Sequence, residues 1–460
     1  MSVEIEQIVA WSILIIVLSL IASGRFRIDL VALSGLLVLG LTGTAPPEVI
    51  FSGFGHPALA TIISVFLVSQ GIVESGLLRG LGQAVARRLK SLRGQTMSIA
   101  AVGSFLSAFM NNVGSVGLML PTAVRMARRS GSDPGSFGMP LAMASILGGA
   151  VTLVGSAPNI IIASYMASAT GQSFKMFDYA PHGLAMLSMA FIFWFFCKSC
   201  GIDPGANSGP EENEKSGPQK SPGPNSASDR SGEKDRFGGH TEEETSAAAD
   251  QGSEDLHEKY VFSPFATREK LIVLAILLVA VLTVSFGLLH PAFGFGTAAL
   301  LLILSGVLKP SSAYNSIDLK IVFFLGAMLG IGQTLEHTGA LELLSTTLAG
   351  LTEGFAPFWL ILMLILVASV LSNAINNSAA AVFMAPLAVG IAAGSSLGTA
   401  AALMAAAAGS NLTLLIPTHQ AALMVMSRAP FSIRSFMRFG LVLSVLCILA
   451  AALVITAVWQ

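Results

Sequence analysis

Charge is scarce in this sequence. Only 11% of its 460 residues are Asp, Glu, Lys or Arg, where a soluble domain carries roughly 25%. The scarcity is uneven, since 24 of the 51 charged residues fall between positions 198 and 270. The other 387 positions hold 27, and a water-facing surface of that size needs several times more. A soluble enzyme, a secreted scaffold and a nucleic-acid binder are excluded together. Cysteine is equally sparse: Cys197, Cys200 and Cys447 are the only three, which gives no disulfide framework. Cys197 and Cys200 have the spacing of a redox or metal pair but no partner ligands, and read as incidental thiols. There is no Gly-rich nucleotide loop, zinc ligand set or nucleophile elbow, so no cofactor and no enzymatic centre is expected.

What the chain has in abundance is apolar sequence: 53% hydrophobic residues and a mean hydropathy of +0.74. Only helices and closed barrels cross hydrocarbon, and continuous Leu, Ala, Ile and Val runs without period-two alternation select helices. The expectation is an all-α polytopic membrane protein, with helices at 8–23, 29–43, 57–75, 95–110, 114–128, 138–154, 158–170 and 181–197, then at 270–287, 292–307, 320–336, 357–373, 378–393, 398–415, 418–427 and 437–457. Residues 9–23 lack a basic start and precede Arg25 and Arg27, which suits a retained first helix rather than a cleaved signal.

The two halves repeat. Residues 105–127 align without gaps with 370–392, and nine of 23 positions are identical, including Ser107/Ser372, Asn111/Asn376, Asn112/Asn377 and Pro121/Pro386. Glu74 and Glu336 correspond at nearly the same offset. The expected organisation is a first membrane repeat over 1–198, a disordered, polar, cytoplasmic linker over 199–267, and a second membrane repeat over 268–460. The linker is rich in Ser, Gly, Pro and charge and cannot bury enough apolar surface to fold.

Basic residues favour the cytoplasmic side. With an external N-terminus, Arg25, Arg27, Arg79, Arg87, Arg88, Lys90, Arg93, Arg125, Arg128, Arg129, Lys309, Lys320, Arg428, Arg434 and Arg438 all fall inside, and Lys175 outside. This requires 95–110 and 114–128 to form a re-entrant hairpin from one face, and 357–373 and 378–393 one from the other. The repeats are then inverted in topology, an architecture of secondary transporters.

The hairpin tips carry the sharpest chemical signal. Asn111-Asn112 and Asn376-Asn377 put carboxamides and unwound backbone inside apolar runs, where lipid satisfies neither. Each tip joins a helix C-terminus, whose carbonyls suit a hard cation, to a helix N-terminus, whose N–H groups suit an anion. A broken helix follows each hairpin, one at Gly155, Ser156 and Pro158, the other at Pro417, Thr418, His419 and Gln420. No Lys or Arg lies near either tip, so an anion would be held by helix ends, amides and hydroxyls with a co-bound cation. Glu74, Glu336 and His419 are the candidates for a proton or pH role. His56, His290 and His337 lie near helix ends and read as interfacial.

The stretches FMNNVGSVGLMLP, LGGAVTLVGSAPN, INNSAAAVFMAP and IPTHQAALMV resemble the divalent anion/sodium symporter family, solute carrier family 13, of the ion transporter superfamily. The resemblance implies a bilayer-embedded homodimer in the plasma (bacterial inner) membrane and elevator-type alternating access, with a small inorganic or carboxylate anion and sodium ions as partners. It implies a first sodium site at Ser107, Asn111, Asn112 and Gly155 and a second at Ser372, Ile375, Asn377 and Thr418. The anion would meet Asn112, Asn377, Ser378, Ser156 and Thr418. Val113 departs from the family pattern, because it replaces a hydroxyl expected to face the anion. The expected function is sodium-coupled symport of sulfate or a dicarboxylate. Its rivals are a sodium/proton antiporter or arsenite-efflux permease of the same superfamily, and, further off, an anion channel or membrane receptor.

Overall fold

The computed structural model describes residues 3–23, 25–76, 91–196, 267–340, 342 and 354–460. These residues are helical with no strand among them, as an apolar chain without alternating pattern requires. Arg79, Arg87, Arg88, Lys90, Cys197 and Cys200 lie outside the described residues, as does the expected linker apart from its last position, Thr267, which opens a helix.

In chain order the α-helices are α1 (Val3–Ala22), α2 (Ile28–Leu41), α3 (Pro47–Ile50), α4 (Pro57–Ser75), α5 (Leu92–Phe109), α6 (Asn112–Ser130), α7 (Gly135–Gly149), α8 (Ala157–Thr170) and α9 (Ala180–Phe196). They continue with α10 (Thr267–Ser285), α11 (Pro291–Leu304), α12 (Pro310–Ser316), α13 (Leu319–His337), α14 (Pro357–Ala374), α15 (Asn377–Ala393), α16 (Thr399–Ser410), α17 (Gln420–Met426) and α18 (Ile433–Trp459). Five of the described helices, α1, α4, α13, α14 and α18, are long and apolar enough to cross a membrane. Together with the shorter apolar helices they make a multi-pass integral membrane protein. Large apolar side chains on the outside, such as Ile15, Leu271, Leu278 and Leu453, face lipid rather than water.

Several helices are too short to span alone. At a rise of about 1.5 Å per residue, the 12 residues of α16 cover well under the roughly 30 Å of hydrocarbon. The expected helix over 138–154 stops at Gly149, and the one expected over 398–415 stops at Ser410. Each is followed by non-helical backbone before the next helix begins.

The packing repeats between the halves. α5 lies against α7, and α14 against α16. Gly148 of α7 and Gly409 of α16 make these approaches close, because a Cβ at Gly148 would overlap the Ser104 carbonyl oxygen and one at Gly409 the Ile365 carbonyl oxygen. Contacts of α8 with α15 and α16, and of α9 with α18, join the two halves into one core. On its flank α4 packs on α11 and α13 on α2. α4 and α11 both open on a His-Pro pair, in which the imidazole Nδ1 accepts a backbone N–H, from Ala58 to His56 at 3.2 Å and from Ala292 to His290 at 3.2 Å. The proline at the first helical position has no N–H to satisfy.

Candidate functional site

Only Met110 and Asn111 separate α5 from α6, and only Ile375 and Asn376 separate α14 from α15. At each tip the first asparagine caps the returning helix. Asn111 Oδ1 accepts the Val113 N–H at 3.2 Å, and Asn376 Oδ1 accepts the Ala379 N–H at 2.8 Å. The second asparagine of each pair is left to face inward. Asn112 Oδ1 accepts from the Ser107 hydroxyl at 2.7 Å, while Asn377 Oδ1 accepts the Ser378 N–H at 2.9 Å.

The interrupted helices are held open by asparagines within apolar sequence. Asn159 Nδ2 donates to the carbonyls of Thr152 at 2.8 Å and Gly149 at 3.3 Å. In the second half Asn373 Nδ2 donates to the Leu412 carbonyl at 2.8 Å, and its Oδ1 accepts from the N–H of Leu415 at 3.0 Å and of Ile416 at 3.3 Å. Asn411 joins the two interruptions. Its Nδ2 donates to Asn159 Oδ1 at 2.8 Å, and its Oδ1 accepts from the Ser156 hydroxyl at 2.7 Å. Backbone freed from a helix in an apolar environment needs such partners.

Tips and interruptions converge on one cavity of about 150 Å³. Asn111, Asn112, Val113, Gly155, Ser156, Ser372, Ile375, Asn376, Asn377, Ser378, Thr418 and His419 all line it. Ser107 lies one step behind, bonded to Asn112. Ile62, Val65 and Phe66 of α4 and Ile321 and Phe324 of α13 add an apolar part to its lining. Neither Glu74 nor Glu336 reaches the cavity. Glu74 is buried near the end of α4, accepting from Gln70 at 3.1 Å, and Glu336 is exposed at the end of α13. No Lys, Arg, Asp or Glu lines the cavity among the described residues.

Two kinds of chemistry meet here. The helices α6, α8, α15 and α17 all begin at the cavity, which turns partial positive charge and backbone N–H groups toward it. Oxygen gathers beside the first tip: a Cβ on Gly155 would lie 2.6 Å from the Gly149 carbonyl and 3.0 Å from that of Ser107, and one on Gly149 would overlap Asn112 Oδ1. Carbonyl oxygens this close, without a nearby Lys or Arg side chain, suit a hard cation. In the second half the Ser372 hydroxyl donates to the Ser410 carbonyl at 2.6 Å, and the buried hydroxyls of Ser410 and Thr413 have no protein partner. Among the described residues no group of three or more His, Cys, Asp or Glu is placed to hold a metal ion.

Sequence reading passed over Asn159, Asn373 and Asn411. The available signal was an asparagine inside a run of Ala, Leu and Ile. Asn411 opens an Asn-Leu-Thr pattern, which inside an apolar segment carries no glycosylation signal.

Apolar helices around a polar internal cavity define an all-helical, multi-pass membrane protein with a polar cavity buried in the bundle. The chain belongs to the citrate transporter family, whose profile matches residues 14–409, in keeping with the resemblance to the sodium-coupled anion symporters. It is 30% identical over 193 residues to the uncharacterized transporter YfbS of Escherichia coli, a match covering 41% of this chain and 31% of that protein. It is 31% identical over 149 residues to the probable sodium/sulfate cotransporter 3 of Chlamydomonas reinhardtii, covering 31% of this chain and 17% of that protein. The matches therefore span a third or less of these relatives. The fold is similar to that in the crystal structure of the Alcanivorax borkumensis YdaH transporter, with a TM-score of 0.57 at 13% identity, covering 89% of this chain and 87% of that one. The family and these relatives are transporters, not enzymes.

Proposed function

We propose that the chain is a sodium-coupled symporter that carries a small anion, sulfate ahead of a dicarboxylate, by elevator-type alternating access. The observation that carries the reading is the cavity itself, where helix N-termini and amides meet with no Lys or Arg among the lining residues described. A site of this kind holds an anion best when a cation is bound beside it, which makes coupling a property of the site. In this reading Asn112, Asn377, Ser378, Ser156 and Thr418 face the anion. Sodium takes Ser107, Asn111, Asn112 and Gly155 on one side and Ser372, Ile375, Asn377 and Thr418 on the other.

Size favours the smaller substrates. The cavity, at about 150 Å³, lies below the roughly 300–1,000 Å³ of pockets for larger organic ligands. The sodium/sulfate cotransporters among the relatives point the same way. We place the repeats in inverted orientation, with the linker on the cytoplasmic side of the plasma membrane and two copies forming a dimer.

A thermal-shift screen of anions in sodium against potassium tests the reading. A ligand present at a hundred times its dissociation constant stabilises the folded state by about 2.7 kcal/mol, so sulfate or succinate should raise the melting temperature in sodium and not in potassium. Equal shifts in both salts would remove the coupling.

A further inference from the structure

A second cavity, of about 250 Å³, lies beside the central one, between α8 and the first turns of α4 and α11. Ile160 is the one residue common to the described linings of both, so its side chain is the partition between them. We propose that this second cavity is a ligand site in its own right, separate from the central one, and that it takes a small monocarboxylate with an apolar body. The inference does not depend on what the central cavity carries.

Two imidazoles supply the polar end. His56 Nδ1 accepts the Ala58 N–H and His290 Nδ1 the Ala292 N–H, each at 3.2 Å. A backbone N–H can only donate, so each Nδ1 presents its lone pair and each neutral ring carries its proton on Nε2. Neither Nε2 has a hydrogen-bond partner among the described residues. The rings come from opposite halves of the chain and are close enough for a charge on His290 to be felt at His56. Two neighbouring N–H donors match the two oxygens of one carboxylate, and bonds to a charged acceptor are about twice as strong as those to a neutral one. No Asp or Glu lines the cavity among the described residues to repel that head group.

The other end is apolar. Ile160, Ala163, Ser164, Ala167 and Ser168 recur at three- and four-residue steps, which puts them on one face of α8. Polarity is graded along that face. Leu153, Ile160 and Ala163 are buried, while Ser168, Ser173 and His290 are exposed at the mouth. The hydroxyls of Ser164 and Thr61 turn back to their own helices, to the carbonyls of Ile161 at 2.7 Å and Pro57 at 2.9 Å. A ligand therefore puts its apolar part against Ile160 and leaves its carboxylate at the imidazoles. An apolar cavity of about 150 Å³ is enough for a benzene ring, so this one has room for a ring or short chain together with the head group. Sulfate has no apolar body to fill it.

The test is a set of thermal-shift titrations of the purified full-length protein with benzoate and butyrate, with benzyl alcohol as an uncharged counterpart. Both carboxylates should raise the melting temperature, and benzyl alcohol should need at least about tenfold more, the effect of losing a hydrogen bond to a charged group. The carboxylate shift should persist in saturating sulfate with sodium, and in Asn112→Ala. His56→Asn with His290→Asn keeps both caps but draws the donors back, and should raise the benzoate concentration for half-maximal response by about tenfold or more. Ala167→Phe fills the cavity from the exposed end of α8 and should abolish the benzoate response, which keeps the test open if the double variant does not fold. No response to either carboxylate overturns the inference, as does a response that sulfate competes away, that benzyl alcohol matches, or that survives in the folded variants. A benzoate response with none to sulfate or succinate leaves this site standing and removes the anion-transport reading.

Discussion

The Asn411 carboxamide donates to Oδ1 of Asn159 at 2.8 Å, joining the two interrupted helices across 252 positions of sequence. Both residues are buried. Neither touches a charge, yet they fix how the two breaks face each other and hence the shape of the cavity between them. Asn411→Ala leaves Asn159 Oδ1 and the Ser156 hydroxyl without their partner. Stranding buried groups of this kind costs about 1–3 kcal/mol each. The variant should melt well below the unmodified protein and lose anion-induced stabilisation. An unchanged melting curve would show that the two breaks are positioned by other contacts.

Glycine packing gives a second expectation, and its sign is informative. Helix propensity alone favours Ala over Gly by up to about 1 kcal/mol, so Gly→Ala inside an unobstructed helix stabilises. At Gly148 and Gly409 the added Cβ overlaps a carbonyl oxygen of the neighbouring helix. Gly148→Ala and Gly409→Ala should each destabilise by about 1–3 kcal/mol, the usual range for overpacking. Similar losses at the two positions are expected because the approaches repeat, α7 on α5 and α16 on α14. Measured melting temperatures that rise in either variant would contradict the packing.

A third expectation concerns pH. His56 and His290 precede α4 and α11 and border one cavity of about 250 Å³. Burial, and then the neighbouring His290, hold the His56 imidazole below its ordinary value of 6.5; burial lowers His290 also. Each group therefore binds its proton more readily in the unfolded chain than in the folded one. Stability should fall as pH drops through the ordinary imidazole range, with the proton also displacing the Nδ1 cap. Asn caps a helix without titrating there. His56→Asn with His290→Asn should keep the neutral-pH melting temperature and flatten its decline on acidification, measured as melting temperature against pH.

If sodium is the coupling ion proposed above, its concentration dependence should report on each of the two oxygen clusters. Ser107 bonds Asn112 beside the first tip, and Ser372 bonds the Ser410 carbonyl in the second half. Removing either hydroxyl by Ser→Ala should raise the sodium concentration for half-maximal response by about five- to tenfold, the scale of one polar contact. The anion response at saturating sodium should change less. A shift in anion potency with no change in sodium dependence would move these residues to the anion.

Much of the fold was legible from apolar run lengths, because a membrane allows little besides helices. The tips were legible too, since paired asparagines at matching positions of two apolar hairpins have little reason to be there otherwise. The ends of the interrupted helices were not. Sequence patterning carries one helix to residue 154 and the other to residue 415, because the apolar runs resume after Gly148-Gly149 and after Gly409-Ser410-Asn411 and continue to Gly155 and to Pro417. The chain unwinds earlier, after Gly149 and Ser410, where side chains from the next or the preceding helix take up the freed carbonyls: Asn159 of α8 on one side, Asn373 of α14 on the other. That exchange is tertiary, and helix periodicity does not record it. The short helices α3 and α12 were missed for a simpler reason, since a turn or two of helix opening on proline has no apolar period to read. His419 was visible as a member of a broken-helix motif. Its place between both tips was not, because it depends on bringing residues 307 apart within 3.4 Å.

The most direct measurement is counterflow of labelled sulfate into proteoliposomes of the full-length protein, loaded with unlabelled sulfate, in sodium and in potassium. Uptake should saturate, require sodium, and fall to the level of empty liposomes in Asn112→Ala and Asn377→Ala proteins that still fold. Sulfate uptake equal in sodium and potassium, or retained in both asparagine variants, would contradict a sodium-coupled anion site at the junction of the hairpin tips.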